Sequence, residues 1–179
     1  YMFNPDDYPE VQRLFADEQF QRAARSVCPA GKQHLDPFQF NLIVQVPGQT
    51  VALHIDGVYF WGATRFQFPQ WLLAAMQFSG LFADRFVDQV QVVAYYHQWQ
   101  DVDARDGAFV YWNRNTNQPT AIKPVPRSGT SVDGTKVIHA ASIYYPKRQP
   151  PMLDKNHQNS LVYVGYDRWH VLATESAHN

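Results

Sequence analysis

The sequence has almost no cysteine, no long apolar run and no excess of charge of either sign. Cys28 is the single cysteine, which excludes an internal disulfide and a cysteine-rich zinc site. This scarcity favours a reducing, intracellular location. The longest apolar stretch, 71–82, is interrupted by Gln77, Ser79 and Gly80 and is too short to span a bilayer, so no membrane span is expected.

The net charge is -1 at pH 7, and charged residues make up 17% of the chain. Because no basic surplus is present, a nucleic-acid partner is not expected, and a small molecule or a peptide remains as the expected substrate. The 179 residues, 45% of them hydrophobic, are enough for one globular domain with a core. The first residue is Tyr1 rather than methionine, which leaves a fragment or a processed form open, and the sequence does not indicate an oligomeric state.

Apolar periodicity divides the single domain, 1–179, into an N-terminal helix and loop (1–37) and a β core (38–173). The first helix is predicted to begin near Pro9, to continue to Ala24 and to end at the Pro- and Gly-containing segment 28–31. A second helix is predicted between Pro69 and Gly80, because proline suits a first helical turn and glycine suits a helix end.

Segments rich in β-branched and aromatic residues predict strands at 38–46, 50–61, 86–99, 108–112, 136–145 and 160–173. The last of them is equally compatible with two strands broken at Gly165. Asp133-Gly134, between β-rich runs, predicts a hairpin turn. This order of elements indicates a mainly β domain, a sandwich or barrel with helices flanking it.

The central motif is His54-Ile55-Asp56, which falls within a predicted strand. Residues two apart on a strand point to the same face, so the imidazole and the carboxylate are expected to project together. His139, in the middle of a later predicted strand, is the candidate third ligand. Two histidines and one carboxylate form the facial triad that holds Fe(II) in non-haem oxygenases and leaves coordination positions open.

Simpler interpretations remain for each of these residues. His54 is also compatible with a core histidine, and Asp56 with a turn former before Gly57. A second H-x-D motif, at 34–36, lies between Gly31 and Pro37 and is therefore predicted to be a loop rather than a metal site.

Two runs of the sequence, NLIVQVPGQTVALHIDGVYF at 41–60 and VDGTKVIHAAS at 132–142, resemble the Fe(II)/2-oxoglutarate-dependent oxygenase superfamily. The resemblance is to H-x-D in a β run, followed by a distant strand histidine after D-G. It implies a double-stranded β-helix, the jelly-roll of cupin-like proteins. It also implies Fe(II) and 2-oxoglutarate as cofactors and hydroxylation of a substrate C–H bond as the reaction.

Members of the superfamily bind the far carboxylate of 2-oxoglutarate with a basic residue at the start of the strand after the distal histidine. Arg148 follows His139 at about the right spacing but falls in a Pro-rich segment. Arg168 is therefore the first candidate, because it lies in the next predicted strand and is expected on the same strand face as Val162 and Val164. Arg148 is second and Arg65 third. Gln45, on the strand before H-x-D, is the candidate for a polar contact to the co-substrate.

Two alternatives to this activity stay open from the sequence. One is a cupin-like metalloprotein that does not use 2-oxoglutarate, and it is favoured by the unusual place of the basic residue. The other is a non-catalytic β-sandwich binding module, in which the three candidate ligands are structural. A serine hydrolase is not indicated, because the sequence has no G-x-S-x-G motif.

Overall fold

A computed structural model describes residues 2–32, 34–101, 105–113 and 115–175. Within these ranges the helices are α1 (Pro9–Ala16), α2 (Glu18–Arg25) and α3 (Gln70–Ser79), with 3-10 turns at Pro5–Asp7 and Ala83–Arg85. The strands are β1 (Met2–Phe3), β2 (Phe40–Asn41), β3 (Val51–His54), β4 (Tyr59–Phe60), β5 (Phe86–Val87), β6 (Gln91–Ala94), β7 (Phe109–Trp112), β8 (Pro119–Ile122), β9 (Gly129–Val132), β10 (His139–Ala141), β11 (His157–Gly165) and β12 (Arg168–Glu175). The protein is therefore mainly β, as predicted. Of the helices in these ranges, none combines the length and the apolar character needed to cross a lipid bilayer.

Three antiparallel strand pairs are nested along the chain. β7 pairs with β8, β6 pairs with β9, and β3 pairs with β10, so that each pair encloses the previous one in sequence. β10 also pairs with β7, which gives a four-stranded sheet of order β3-β10-β7-β8, and β6 and β9 form a separate two-stranded sheet. The nesting places the segments around His54 and His139, which are far apart in sequence, side by side.

The main apolar cluster lies between α3 and the short β4–β5 pair. Its buried members are Val58, Phe60 and Leu73, and partly buried residues such as Met76 and Phe86 pack against them. α3 follows Pro69 and ends at Gly80, whose φ of 71° is the left-handed conformation that glycine adopts without strain. Both helix boundaries agree with the prediction, and α3 packs beside the chain that follows His54.

The prediction of one N-terminal helix was wrong, because the segment forms two helices. Asp17 is extended, and its carboxylate accepts hydrogen bonds from the backbone N–H groups of Gln19 and Phe20 at 3.0 and 2.9 Å. An aspartate in this position caps a new helix, so α2 starts where α1 ends.

Several predicted strands are shorter than their β-rich segments. Only Phe40–Asn41 of 38–46 is a strand, and it pairs with β1; 50–61 and 86–99 each contain two short strands, and 136–145 is reduced to β10. The physical reason is that β propensity produces a strand only where a ladder partner is available. After β3, for example, the N–H of Asp56 donates to the turn carbonyl of Gly134 at 2.8 Å rather than to a ladder.

The segment 160–173 forms two strands, which was the alternative with a break at Gly165. β11 and β12 are a hairpin, and Tyr166 and Asp167 at its tip have φ of 50° and 56°. Because the chain reverses there, Arg168 begins the second strand of the hairpin and does not continue the strand that ends at Gly165. The turn at Asp133-Gly134 is confirmed, but its prediction as a hairpin was wrong, since it joins β9 and β10, which pair with other strands.

Candidate metal centre

His54 and His139 face each other across the β3–β10 ladder. The two residues are direct partners in the antiparallel register, and their ring centroids lie 4.3 Å apart. His54 is the last residue of β3 and His139 the first of β10, so both side chains are at the end of the sheet where the strands open. Directly opposed residues bring their Cβ atoms within about 5.5 Å, which is close enough for one ion to contact both rings.

Asp56 completes the group from the bend that follows β3. Its Oδ1 lies 3.5 Å from His54 Nε2 and 3.7 Å from His139 Nε2. The three ligand atoms all lie within 4.8 Å of one another. Both separations are longer than a normal N–H···O hydrogen bond. Two ligands held about 2.1 Å from one ion are roughly 3.0–3.4 Å apart at octahedral to tetrahedral angles, so the spacing suits a shared cation.

The backbone fixes which ring nitrogen of each histidine faces this space. His54 Nδ1 donates to the carbonyl of Ala52 at 2.7 Å, and His139 Nδ1 donates to the carbonyl of Val137 at 2.9 Å. A neutral imidazole that donates through Nδ1 has its lone pair on Nε2. Both Nε2 atoms therefore point at Asp56 as acceptors. Hydrogen bonds of this kind from the outer nitrogen are the usual support of metal-binding histidines.

Gly134 provides the room for the carboxylate. A Cβ atom added to this glycine would lie 1.8 Å from Asp56 Oδ2, 2.7 Å from Asp56 Cγ and 3.2 Å from His139 Cε1. No side chain fits there, so the turn backbone is the wall against which Asp56 rests. The motif Asp133-Gly134 predicted a turn, but it did not predict that Gly134 lies against Asp56, a candidate metal ligand.

The turn that contains Gly134 is itself held from three sides. Asp133 Oδ1 accepts hydrogen bonds from the N–H and the hydroxyl of Thr135, which is 1% exposed. Gln77 of α3 donates through Nε2 to the carbonyl of Thr135 at 3.0 Å. Lys136 forms ion pairs with Asp133 at 2.7 Å and with Asp88 at 2.5 Å. These contacts fix the backbone that supports Asp56, and Gln77 is a supporting residue that the sequence analysis missed.

Two of these charged groups have shifted pKa values. Burial alone would raise the pKa of Asp88, but hydrogen bonds from Lys136 and Lys32 outweigh it, and the pKa of Asp88 lies below its ordinary value. Burial alone would lower the pKa of Lys136, but hydrogen bonds to Asp133 and Asp88 raise it above its ordinary value. Both groups are therefore charged over the whole neutral range, and the bridge between them persists there.

The group is buried on one side and open on the other. The His139 side chain is 5% exposed and its ring stacks on Phe109 at a centroid distance of 5.6 Å. The side chains of His54 and Asp56 are 37% and 25% exposed. An ion bound here would therefore have protein on the His139 side and room for additional ligands on the side of His54.

The basic candidates differ in their position relative to this group. Arg168 is exposed and begins β12, whose hairpin is a separate sheet from the one that contains both histidines. Arg148 is also exposed, and its guanidinium lies 5.8 Å from the Tyr145 ring centroid. Gln45 is half-buried beside Gly107, at the end of the sheet away from His54 and His139. A role for any of these residues in binding 2-oxoglutarate stays a prediction.

Arg65 lies against the segment that contains Asp56. Its Cδ is 3.9 Å from the position of a Cβ on Gly57, the next residue along the chain. Arg65 is half-buried, its Nη2 donates to Gln39 Oε1 at 3.2 Å, and its guanidinium lies 5.3 Å from the Phe66 ring centroid. Across the described ranges, no carboxylate forms an ion pair with it.

The other H-x-D motif does not form such a group. His34 and Asp36 are exposed in a segment without regular structure, as predicted. Among the residues that the structure describes, His54, Asp56 and His139 form the cluster of three potential metal ligands.

Comparisons with family models, with curated proteins and with solved structures find no match to this chain.

Proposed function

We propose that the chain is an Fe(II)- and 2-oxoglutarate-dependent oxygenase that hydroxylates a C–H bond of a small-molecule or peptide substrate. The observation that supports this most is the arrangement of two Nε2 atoms and one carboxylate around a single point, with one side open. Two histidines and one carboxylate on one face are the ligand set of non-haem Fe(II) oxygenases.

The strand order supports the same proposal at the level of the fold. In a jelly-roll a long antiparallel ribbon folds on itself, so strands pair in nested fashion from the centre of the ribbon outward. The pairs β7–β8, β6–β9 and β3–β10 follow this nesting. We therefore assign the β core to the double-stranded β-helix class, with the metal ligands at the open end of the β3–β10 pair.

In this proposal the chain holds and shields the reacting groups. His54, Asp56 and His139 hold the ion through Nε2, a carboxylate oxygen and Nε2, while the carbonyls of Ala52 and Val137 keep both rings oriented. Phe109 and the buried ring of His139 exclude water from the inner side. When bound, iron and 2-oxoglutarate would supply the oxidising chemistry, and the exposed side chain of His54 leaves that side of the group open to a substrate.

Of the three arginines, the contacts favour Arg65 as the partner of the co-substrate carboxylate. A half-buried guanidinium with an amide and an aromatic ring as its neighbours has donors available for an anion. Arg168 and Arg148, both exposed, have no such enclosure. The expected ranking in 2-oxoglutarate affinity is a loss of about tenfold or more for Arg65→Met and little change for Arg168→Met and Arg148→Met.

The test is an anaerobic titration of the metal-free chain with Fe(II) and then 2-oxoglutarate, followed by the visible charge-transfer absorption of the chelate. We expect the band in the wild type and its loss in His54→Ala and in His139→Ala. His34→Ala, from the other H-x-D motif, is the matched control and should keep the band. Absence of bound iron in the wild type would refute the metal centre.

A second candidate is a jelly-roll metalloprotein that does not use 2-oxoglutarate. It is favoured by the position of Arg168, exposed and on a separate hairpin. In that case Fe(II) would bind through the same three residues, but 2-oxoglutarate would give no band and would not alter the affinity for the ion. The titration therefore separates the two candidates in one experiment.

A further inference from the structure

A cavity of about 250 Å³ lies between α3 and the β4–β5 pair. Its walls are mostly apolar, and the apolar side chains that line it are Phe60, Met76, Leu81, Ala83 and Phe86. We call this space the α3 cavity. Leu81 is 63% exposed, so the cavity is open to solvent on that side and a ligand can enter without unfolding the chain. The three candidate metal ligands do not line it, so it is a separate site from the metal centre.

The volume of the α3 cavity limits the size of its occupant. An apolar cavity of about 150 Å³ accepts benzene, so a cavity of about 250 Å³ has room for one ring with a short substituent. Its walls suit an aromatic ring, because Phe60 and Phe86 are in edge-to-face contact at 5.5 Å and Met76 adds a polarisable thioether. The apolar part of the cavity therefore fits a small ring-bearing molecule.

Gln77 is a polar side chain of the cavity wall with an unused hydrogen-bond acceptor. Its Nε2 donates to the Thr135 carbonyl at 3.0 Å, whereas its Oε1 is buried and has no hydrogen-bond partner among the residues that the structure describes. A buried acceptor without a donor is unfavourable, and such atoms in folded proteins ordinarily have a partner. A ligand seated against Gln77 removes this cost if it has a hydroxyl or an N–H group that donates to Oε1.

The charges beside the cavity balance each other. Lys136 lines the cavity and forms ion pairs with Asp133 at 2.7 Å and with Asp88 at 2.5 Å, and Lys32 also pairs with Asp88. Two lysines and two aspartates have no net charge, so the site favours a neutral ligand over an ionic one. We propose that the α3 cavity binds a small neutral aromatic molecule of the phenol class, whose hydroxyl donates to Gln77 Oε1.

The test is a titration of the metal-free chain with 4-ethylphenol, followed by NMR of ¹³C-labelled methionine methyl groups. The chain has three methionines. Met76 lines the cavity, whereas Met152 is 89% exposed in the segment before β11 and is the internal control. We expect a saturable shift of the Met76 resonance with a Kd on the order of 1 mM, as suits a ligand of this size, and no shift of Met152. Because no metal is present, the result does not depend on the proposed iron chemistry.

A second probe and three variants test the place and the hydrogen bond. 4-Ethylanisole has the same ring without a donor and should bind about fivefold more weakly. Gln77→Leu removes the acceptor, so the two probes should then bind equally. Ala83→Phe fills the cavity and should abolish the Met76 shift, whereas Ala75→Phe, at an exposed alanine of α3 outside the lining, should bind as the wild type does. No saturable Met76 shift in the wild type, an equal shift at Met152, binding that survives Ala83→Phe, or a preference for 4-ethylphenol that persists in Gln77→Leu would overturn the proposal.

Discussion

Replacement of Gly134 by alanine isolates the contact between the turn and the Asp56 carboxylate. The new Cβ would lie 1.8 Å from Asp56 Oδ2, so the carboxylate must recede by more than about 1 Å to reach an ordinary contact. The φ of Gly134 is not in the left-handed region, so alanine adds no backbone strain and the effect is steric. We expect a loss of about 1–3 kcal/mol in the free energy of unfolding, as for other overpacked sites.

The effect on metal binding should be larger than the effect on stability. Ligand atoms must lie within about 0.2 Å of their ideal distance, so a displaced Asp56 no longer coordinates an ion held by the two histidines. We expect the affinity for Fe(II), measured anaerobically by calorimetry, to fall by about a hundredfold or more. Thermal unfolding of the metal-free chain measures the loss in free energy of unfolding, and we expect Tm to decrease by about 2–10 °C.

Two controls test this reasoning. Gly57→Ala is the matched substitution, because its Cβ would meet Gln70 Nε2 at 3.4 Å and Arg65 Cδ at 3.9 Å, which are ordinary contacts. It should leave metal affinity unchanged within about threefold. In the background Asp56→Ala the carboxyl group is gone and the 3.2 Å contact with His139 Cε1 remains, so Gly134→Ala should destabilise the metal-free chain much less. Wild-type metal affinity in Gly134→Ala, or an equal destabilisation in both backgrounds, would refute the contact.

Three further predictions concern the elements that support the site. The depressed pKa of Asp88 means that its contribution to stability is present above the unfolded value of 3.8 and is lost as the pH falls through the folded pKa. Asp88→Asn should therefore unfold with a shallower acid transition in circular dichroism, and should lose about 1 kcal/mol or less at neutral pH. Gln77→Leu removes the hydrogen bond to the Thr135 carbonyl and should weaken Fe(II) binding about tenfold in the same calorimetric titration, while Gln158→Leu on β11 should not. Asp17→Ala removes the cap of α2 and should lower the free energy of unfolding by about 1 kcal/mol in urea, with no effect on metal affinity.

Local chemistry explains which parts of the fold were predictable. α3 was predicted with its correct boundaries because Pro69 and Gly80 act within one turn of the helix. The break between α1 and α2 was not predicted, although Asp17 is a good helix cap. Apolar residues recur at helical spacing on both sides of Asp17, so in the sequence it resembles an ordinary surface aspartate of one continuous helix. The long β-rich segments gave strands only in part, since the partner that selects a strand, such as β10 for β3, is far away in sequence.

The candidate site was predictable for a related reason. His54 and Asp56 are two residues apart, so their proximity is a local property even though Asp56 lies just past the end of β3 rather than on it. The position of His139 opposite His54 depends on the register of β3 against β10, which no local sequence pattern encodes. His139 was nevertheless predicted as a ligand, because a second histidine completes a set of two histidines and one carboxylate. Gly134 and Gln77 support the ligands through the tertiary structure, and nothing in their immediate sequence distinguishes them from other turn and helix residues.

The hydrogen bonds of the two histidines give the main physical reason to expect a cation at this place. With Nδ1 of each ring donating to a carbonyl, the space between His54, Asp56 and His139 is lined by two lone pairs and one negative charge. Three acceptors without a donor between them repel each other in a half-buried site. An ion that all three atoms contact relieves the repulsion. Metal binding should therefore stabilise the chain against unfolding, and this rise in Tm should disappear in His139→Ala.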